Sequence, residues 1–416
     1  MRLALASLTV RGRAFLAGGI TVIVAAFITG QDTVVRVGVL LVVLVLLSVF
    51  WVARARHELV LQRAMTPPVV GVGQPSTVEL TVTNTARTPT GVLLLEEQVP
   101  HALGTRPRFV LEALPHDGHR TARYTVRSDV RGRHEVGPLL LRVTDPFGLV
   151  EVPRWFRHSD WLTVTPRVVA LPPLALGGSR SGVGDNRPRA FASGSAEDVT
   201  VREYRRGDDL RRVHWRSSAR MGELMVRREE QPWQSRATVY LDNRACAHRG
   251  RGATGTLETA VSFAASVAVH LSQRGFSVRL VSATGGDAAH DWHSLDVAAS
   301  TQALLEELAV ITTTPHPHPE TRWLGEPGQG GLVIAVLGAV EETDARFLGR
   351  LAQHGVDSVA VELDVESWFA APRPDSPPSP VLAAAGLRAV RHGANDRIES
   401  SWRALARPAT QRVGVR

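Results

Sequence analysis

The sequence predicts a transmembrane helical hairpin, then a small antiparallel β-sandwich, then an α/β domain with a doubly wound parallel sheet. Two uncharged apolar stretches near the N-terminus predict the hairpin. Alternating polar and apolar residues predict the sandwich, and apolar strands alternating with helical segments after residue 237 predict the α/β domain. Of the 416 residues, 44% are hydrophobic and 21% are charged, which excludes a disordered, collagen-like or coiled-coil protein.

The hairpin is predicted at residues 14–53, after an N-terminal tail of residues 1–13. Ala14–Gly30 and Val37–Ala53 contain no charged residue. At 1.5 Å per residue each stretch spans about 26 Å, close to the ~30 Å hydrocarbon core of a bilayer. A cleaved signal peptide is disfavoured because a second apolar stretch follows almost at once. A pair of buried core helices is the remaining, less favoured alternative.

Arginines flank both outer ends of the hairpin, whereas the short connecting loop holds one acidic and one basic residue. Because positive residues prefer the cytoplasmic side, we expect a multi-pass plasma-membrane protein with both termini and the soluble domains in the cytoplasm. The single cysteine excludes an intramolecular disulfide and suits that compartment. The flanking arginines are Arg2, Arg11, Arg13, Arg54, Arg56 and Arg63.

Residues 58–150 are predicted to form the β-sandwich, because short segments of period two follow one another without an intervening helix. In Ser76–Asn84, for example, Val78, Leu80 and Val82 share one face. Residues 151–236 are predicted to be a charged connector. The further predicted strands are 91–98, 109–114, 120–127 and 137–144.

Residues 237–406 are predicted to form the α/β domain, and residues 407–416 a frayed tail. Ala237–Leu241 is an apolar strand that ends at Asp242, and Thr256–Arg274 is helical and ends before Gly275. The strand–helix alternation continues along the chain and predicts a parallel sheet covered by helices. The later predicted elements are strands 276–281, 331–337 and 356–363, helices 301–311 and 341–354, and a last strand and helix that end near residue 406.

The connector contains the densest group of residues with possible chemistry, at residues 201–231. A turn with Asp208 and Asp209 is placed to cap a short helix from Leu210, and His214 and Trp215 follow as an aromatic pair. Arginines interleaved with Trp suit phosphate or nucleic acid. The mixture of both charges suits a lattice of ion pairs that packs the connector against its neighbours, and we favour this structural interpretation.

This segment closely resembles the signature of the domain of unknown function 58 family. Residues 131–138 and 144–149 also resemble that family, so the similarity covers essentially the whole chain. The main signature consists of Ala219 and our candidate interaction residues, which are Arg202, Tyr204, Gly207, Asp208, Asp209, His214, Trp215, Ser218 and Arg220.

The resemblance implies a membrane-anchored protein whose C-terminal domain is von Willebrand factor A-like. It implies partnership with a MoxR-type AAA+ ATPase, and a transglutaminase-like membrane protein as a second partner. The family has no established enzymatic activity, so the resemblance implies an architecture rather than a reaction, and no cofactor.

The chain departs from the metal-binding von Willebrand A pattern, in which Asp-x-Ser-x-Ser after the first strand supplies oxygen ligands to Mg²⁺. Here Asp242 is kept, but Arg244 and Cys246 stand at the two serine positions. A cation at a ligand position repels a divalent metal. We therefore expect the fold to be kept and the metal site to be lost.

No catalytic group of residues stands out in the sequence, and we expect no enzymatic activity. A chain without lysine has no P-loop lysine, so ATP hydrolysis by that route is excluded. The thiol of Cys246 near His248 and the His316-x-His318 pair are weak candidates for a nucleophile and a metal site.

Three functional hypotheses follow. We favour a membrane-anchored, non-enzymatic adaptor for the ATPase in assembly or remodelling of envelope complexes. The alternative is a module that binds anionic membrane lipid or nucleic acid, supported by the net charge of +8, although nucleic acid is the less expected ligand. A thiol-dependent enzyme that uses Cys246 is the least favoured hypothesis.

Overall fold

The structure is a computed structural model, and it describes most of the chain. The described residues are 7–54, 58–145, 147–173, 201–203, 215–227, 236–250, 252–285, 297–325, 331–355, 357–369 and 376–406.

The two predicted apolar stretches form two helices, α1 (Val10–Thr29) and α2 (Asp32–Arg54). Both are long and apolar enough to cross a membrane. They pack closely at two glycines: a Cβ atom built on Gly38 would lie 2.9 Å from the Gly19 carbonyl oxygen. Gly30, with a φ of 69°, ends α1 in the left-handed conformation and allows the chain to reverse.

The β-sandwich region contains ten strands in three sheets, with strand orders β1-β3-β6, β2-β10-β7 and β5-β4-β8-β9. All pairs are antiparallel except β2 with β10, which confirms the predicted antiparallel region. The strands are β1 (Leu59–Thr66), β2 (Val69–Gly71), β3 (Pro75–Asn84), β4 (Leu93–Glu97), β5 (Arg108–Leu111), β6 (His119–Arg127), β7 (Gly132–Val136), β8 (Leu139–Thr144), β9 (Glu151–Phe156) and β10 (Asp160–Thr165).

The predicted core face of β3 is buried, with Val78, Leu80 and Val82 all at 0% exposure. The sheets continue past the predicted boundary at residue 150, because β9 pairs with β8 and β10 pairs with β2 and β7. No strand is predicted at β9, whose six residues do not alternate between buried and exposed positions in the structure.

A buried ion cluster joins three distant strands of the sandwich. Arg63 in β1 donates to Glu97 Oε1 at 2.6 Å and to Asp160 Oδ2 at 2.8 Å. The side chains of Arg63 and Glu97 are 1% and 0% exposed. Burial raises the pKa of Glu97, and the guanidinium of Arg63 opposes that rise.

The C-terminal region contains a five-stranded parallel sheet of order β14-β13-β15-β16-β17, which confirms the predicted parallel α/β region. Its core includes Tyr240, whose ring lies 5.1 Å from that of Phe347 and 6.1 Å from that of Trp323. The elements are β11 (Val201–Glu203), α3 (Trp215–Met221), β12 (Met225–Arg227), β13 (Arg236–Leu241), α4 (Thr256–Gln273), β14 (Ser277–Ser282), α5 (Val297–Val310), β15 (Leu332–Leu337), α6 (Ala345–His354), β16 (Asp357–Leu363), α7 (Pro380–Ala384), β17 (Arg388–His392) and α8 (Ile398–Ala406).

The chain forms two compact units whose boundaries differ from the predicted domains. One unit comprises residues 1–169, 248–266 and 298–315, and the other comprises residues 170–247, 267–297 and 316–416. The first half of α4 and nearly all of α5 therefore belong to the unit that contains the hairpin and the sandwich.

The start of the hairpin contacts residues 145 and 147–150, between β8 and β9, which we call the 145–150 loop. The amide of Thr9 donates to the carbonyl oxygen of Leu149 at 3.0 Å. A Cβ atom on Gly12 would lie 2.1 Å from that same oxygen, closer than real Cβ atoms approach. Only glycine fits at position 12 without a shift of the loop or of α1.

We expect Gly12→Ala to destabilise the protein and Gly18→Ala to leave it unchanged or slightly more stable. Both glycines lie in α1, but a Cβ atom on Gly18 meets nothing within 4 Å. Overpacking costs about 1–3 kcal/mol, whereas Gly→Ala in an open helical position gains about 0.5–1 kcal/mol. Thermal unfolding of the full chain in detergent measures the difference, and equal effects of the two variants would contradict the close contact.

Candidate functional site

The structure describes part of the predicted signature segment. Arg202 lies in β11, which pairs antiparallel with β12, and its Cα partner there is Val226. Trp215, Ser218, Ala219 and Arg220 lie in α3. Outside the described residues lie Tyr204, Gly207, Asp208, Asp209 and His214.

Helix α3 exposes apolar side chains although it is tied to the neighbouring strand. The hydroxyl of Ser218 accepts a hydrogen bond from the amide of Met225 at 2.8 Å, which fixes the helix beside β12. Trp215 is 71% exposed, Met221 67% and Leu224 43%. Trp215 is the most exposed of the three, and exposed Trp side chains are enriched among the residues that dominate protein interfaces.

A second site lies at the carboxyl edge of the parallel sheet. The chain enters at β13, continues to β14 on one side, and then crosses to β15 on the other side of β13. In open α/β sheets the crevice beyond the carboxyl ends of two such strands is the usual place for a ligand. Asp242 follows β13 there, and Asp344 follows β15.

The guanidinium of Arg244 occupies the space between these two carboxylates. Its Nε and Nη2 donate to Asp242 Oδ1 and Oδ2, both at 2.9 Å. Its Nη1 and Nη2 donate to Asp344 Oδ1 and Oδ2 at 2.6 and 3.1 Å, and Nη1 also donates to the carbonyl oxygen of Pro317 at 2.9 Å. These five hydrogen bonds match the five N–H donors of an arginine. We call these four residues the Arg244 cluster.

The Arg244 cluster is buried, and its charged groups are paired with one another. The side chains of Arg244, Asp242 and Asp344 are 7%, 0% and 5% exposed. Burial lowers the pKa of Arg244, but the hydrogen bonds to the two carboxylates outweigh it and raise the pKa overall. The guanidinium of Arg244 thus lies between the two carboxylates, in the position that a metal ion would take. All its N–H donors are paired, so this arrangement suits holding three loops together rather than binding a ligand.

The structure also places the two weak candidates of the sequence, the possible nucleophile Cys246 and the His316-x-His318 pair. Cys246 is exposed on a short 3₁₀ turn, whereas His248 is buried with Nδ1 3.0 Å from Thr256 Oγ1. His316 and His318 line a shallow groove of about 360 Å³ together with Glu320. Within the part of the chain that the structure describes, no group of three or more His, Cys, Asp or Glu residues is placed to hold a metal ion.

The structure also brings together a serine and a histidine that the sequence does not predict to be neighbours. The hydroxyl of Ser401 in α8 lies 2.8 Å from Nδ1 of His392 at the end of β17. Both residues are buried, at 5% and 2% exposure, and burial lowers the pKa of His392 and favours the neutral ring. A substrate has no access to a pair buried in this way, so we interpret it as a structural hydrogen bond.

A third buried arginine, Arg131, lies at the start of residues 131–138. Its Nη1 donates to both carboxylate oxygens of Glu258 in α4, at 2.9 and 3.0 Å. Its Nε and Nη2 donate to the carbonyl oxygens of Leu308 and Ile311 at the end of α5. Burial lowers the pKa of Arg131 and raises that of Glu258, and each partner opposes the shift of the other. We call these four residues the Arg131 cluster.

Comparison with protein families matches part of the chain. The family model described as "Protein of unknown function DUF58" matches residues 200–318, which include the signature segment, Arg244 and Pro317. The match supports the resemblance to the domain of unknown function 58 family over that part of the chain. No curated protein matches the sequence.

Solved structures resemble the chain only weakly. A CARDB domain from Pyrococcus furiosus is 15% identical, covers 26% of this chain and 88% of its own, and has a TM-score of 0.20. An alkylpurine DNA glycosylase from Pseudomonas fluorescens is 18% identical, covers 24% of this chain and 31% of its own, and has a TM-score of 0.16. Red sea bream transglutaminase is 18% identical, covers 24% of this chain and 14% of its own, and has a TM-score of 0.17. Likenesses this weak assign neither fold nor function.

We expect Arg131→Ala to cost about 3–5 kcal/mol of stability, because it leaves the partly buried carboxylate of Glu258 without its cation. Arg131→Lys should recover only part of the loss, since a single ammonium cannot reproduce the planar fork. Arg133→Ala in the same stretch is the control, because Arg133 is exposed over the Trp161 ring. Thermal and denaturant unfolding in detergent measure all three variants, and an equal loss in the control would contradict the role of the Arg131 cluster.

We expect Arg244→Ser to destabilise the protein by about 3–5 kcal/mol, because two buried carboxylates then face each other without a cation. Mg²⁺ should raise the unfolding temperature of this variant and leave that of the wild type unchanged. Arg346→Ser, on the exposed side of α6, is the control and should respond to neither. Stabilisation of the wild type by Mg²⁺ would show that the cluster opens to admit a metal, against this interpretation.

Proposed function

We propose that this protein is a membrane-anchored, non-enzymatic adaptor that binds a MoxR-type AAA+ ATPase through the exposed surface of α3. Residues 7–54 anchor it, the sandwich and the α/β region lie in the cytoplasm, and the complex serves assembly or remodelling of envelope complexes. A transglutaminase-like membrane protein is a further proposed partner. The α/β region is proposed to be von Willebrand factor A-like.

The exposed Trp215 carries this proposal. It lies in the segment that the family model matches, it is 71% exposed, and Met221 and Leu224 in the same segment are also exposed. Large aromatic side chains dominate the binding energy of many protein interfaces. The two apolar helices support the anchor, and arginines at both outer ends of the hairpin support the cytoplasmic orientation.

The Arg244 cluster supports a role without catalysis or a bound metal at the sheet edge. The crevice where α/β proteins commonly bind ligands is filled by a side chain of the protein itself, and its donors are satisfied. The surface left for function is therefore on the outside of the fold, which suits an adaptor.

Binding of the purified ATPase to the detergent-solubilised full chain, with and without ATP, tests the proposal. We expect Trp215→Ala to weaken nucleotide-dependent binding by about thirtyfold or more, which corresponds to ~2 kcal/mol for a central interface residue. Trp155→Ala is the matched control, because Trp155 is 52% exposed on β9. Wild-type protein that does not bind the ATPase in either state would contradict the proposed partner, and equal losses in both variants would contradict the proposed surface.

The alternative function is recognition of an anionic surface, lipid or nucleic acid, which the net charge of +8 and the exposed Arg11 and Arg13 favour. Such binding falls steeply with salt because it depends on charge. Binding to anionic vesicles that is unchanged between low and high salt would exclude it. Full function of a Cys246→Ser variant would exclude the thiol enzyme.

A further inference from the structure

We propose that the 145–150 loop of the sandwich is a third membrane-contacting element, which lies in the lipid interface with Phe147 facing the lipid. This inference rests on the proposed membrane insertion of α1 and α2. The sequence places the loop in the soluble domain, between β8 and β9.

Backbone hydrogen bonds attach the loop to the start of α1. The amide of Glu151 donates to the carbonyl oxygen of Ser7 at 2.8 Å, and the amide of Thr9 donates to that of Leu149 at 3.0 Å. The hydroxyl of Thr9 donates to the carbonyl oxygen of Gly148 at 2.7 Å. The position of the loop is therefore fixed relative to the start of α1.

Apolar contacts set the depth of the loop along the hairpin. Leu149 and Val150 form a buried cluster with Val45, and Leu16 and Val49 pack against it. Val45 lies nine residues before the end of α2, or about 13 Å along the helix axis, and Leu16 lies six residues after the start of α1, or about 9 Å. The loop thus lies beside the apolar part of both helices and inside their cytoplasmic ends.

Three backbone amides of the loop are paired with acceptors within the loop, which favours an environment poor in water. The carboxylate of Asp145, which is 4% exposed, accepts from the amide of Phe147 at 3.1 Å and from the amide of Val150 at 2.7 Å. The amide of Gly148 donates to the carbonyl oxygen of Asp145 at 3.1 Å. Gly148 takes a φ of 69°, which completes the tight turn.

The side chain of Phe147, by contrast, is not buried within the protein. It is 59% exposed at the tip of a loop whose neighbours Leu149 and Val150 are 2% and 1% exposed. An aromatic ring at the level of a membrane–water interface gains contact with the lipid. The combination of depth, three paired amides and an exposed ring therefore favours a lipid surface as the occupant over a protein partner.

Lipid-dependent quenching of a site-specific label tests the inference. Cys246→Ser removes the only cysteine, and Phe147→Cys, Phe27→Cys or Val110→Cys then carries an environment-sensitive fluorophore. Phe27 is 77% exposed on α1, and Val110 is 69% exposed on β5, at the opposite edge of its sheet from β9. The labelled full chains are reconstituted into phosphatidylcholine–phosphatidylglycerol vesicles with and without lipids that carry a quencher near the headgroup.

We expect the labels at positions 147 and 27 to be quenched about twofold or more above the label at position 110, because interfacial residues contact the lipid. Quenching at position 27 with position 147 equal to position 110 would overturn the inference and leave the proposed anchor intact. No quenching at position 27 would contradict the anchor itself, and the inference would fail with it. Unchanged unfolding temperatures of the labelled chains verify that each variant is folded.

Discussion

The pairing of buried arginines with carboxylates stabilises the two compact units at three places. Arg63, Arg131 and Arg244 have side chains that are 1%, 6% and 7% exposed, and each binds at least one carboxylate that is far away in the sequence. Leaving such a charge unpaired in the interior costs several kcal/mol, so each cluster strongly favours one arrangement of its segments. Because the chain contains no lysine, arginine supplies all of these contacts, and its planar fork binds two partners at once.

The three clusters act on different levels of the fold. Arg63 with Glu97 and Asp160, the Arg63 cluster, holds β1, the end of β4 and the start of β10 together within the sandwich. The Arg131 cluster attaches the first turn of α4 and the end of α5 to the loop before β7, which explains why these helical segments share a compact unit with the sandwich. The Arg244 cluster closes the edge of the parallel sheet. In other open α/β sheets this edge commonly binds a ligand, whereas here the Arg244 cluster fills it and stabilises the fold.

Because the edge of the parallel sheet is filled by the Arg244 cluster, the surfaces proposed for function lie on the outside of the protein. Helix α3 exposes Trp215 while Ser218 fixes it beside β12, so an apolar surface is presented on a supported element. In the other compact unit, the 145–150 loop is fixed to α1 by backbone hydrogen bonds, and Asp145 accepts from the amides of Phe147 and Val150. Under the adaptor proposal, one surface contacts the partner and the other contacts the membrane.

The sequence by itself determined the order of the regions and most of the element bounds, because hydrophobic periodicity records how one segment is buried. The predicted strand 76–84 is observed as β3 (Pro75–Asn84), and the predicted helix 256–274 as α4 (Thr256–Gln273). Asp242 and Arg244 were also recognised, since they directly follow a predicted strand.

Only the tertiary structure decided which distant residues meet. Asp344 lies one hundred residues from Arg244, and no local pattern connects them. The contacts of Arg131 with Glu258, and of the 145–150 loop with Thr9, likewise join segments whose own periodicity is satisfied without them. A buried charge or an unpaired amide is compatible with many local sequences, and the free energy that selects its partner exists only when the whole chain is packed.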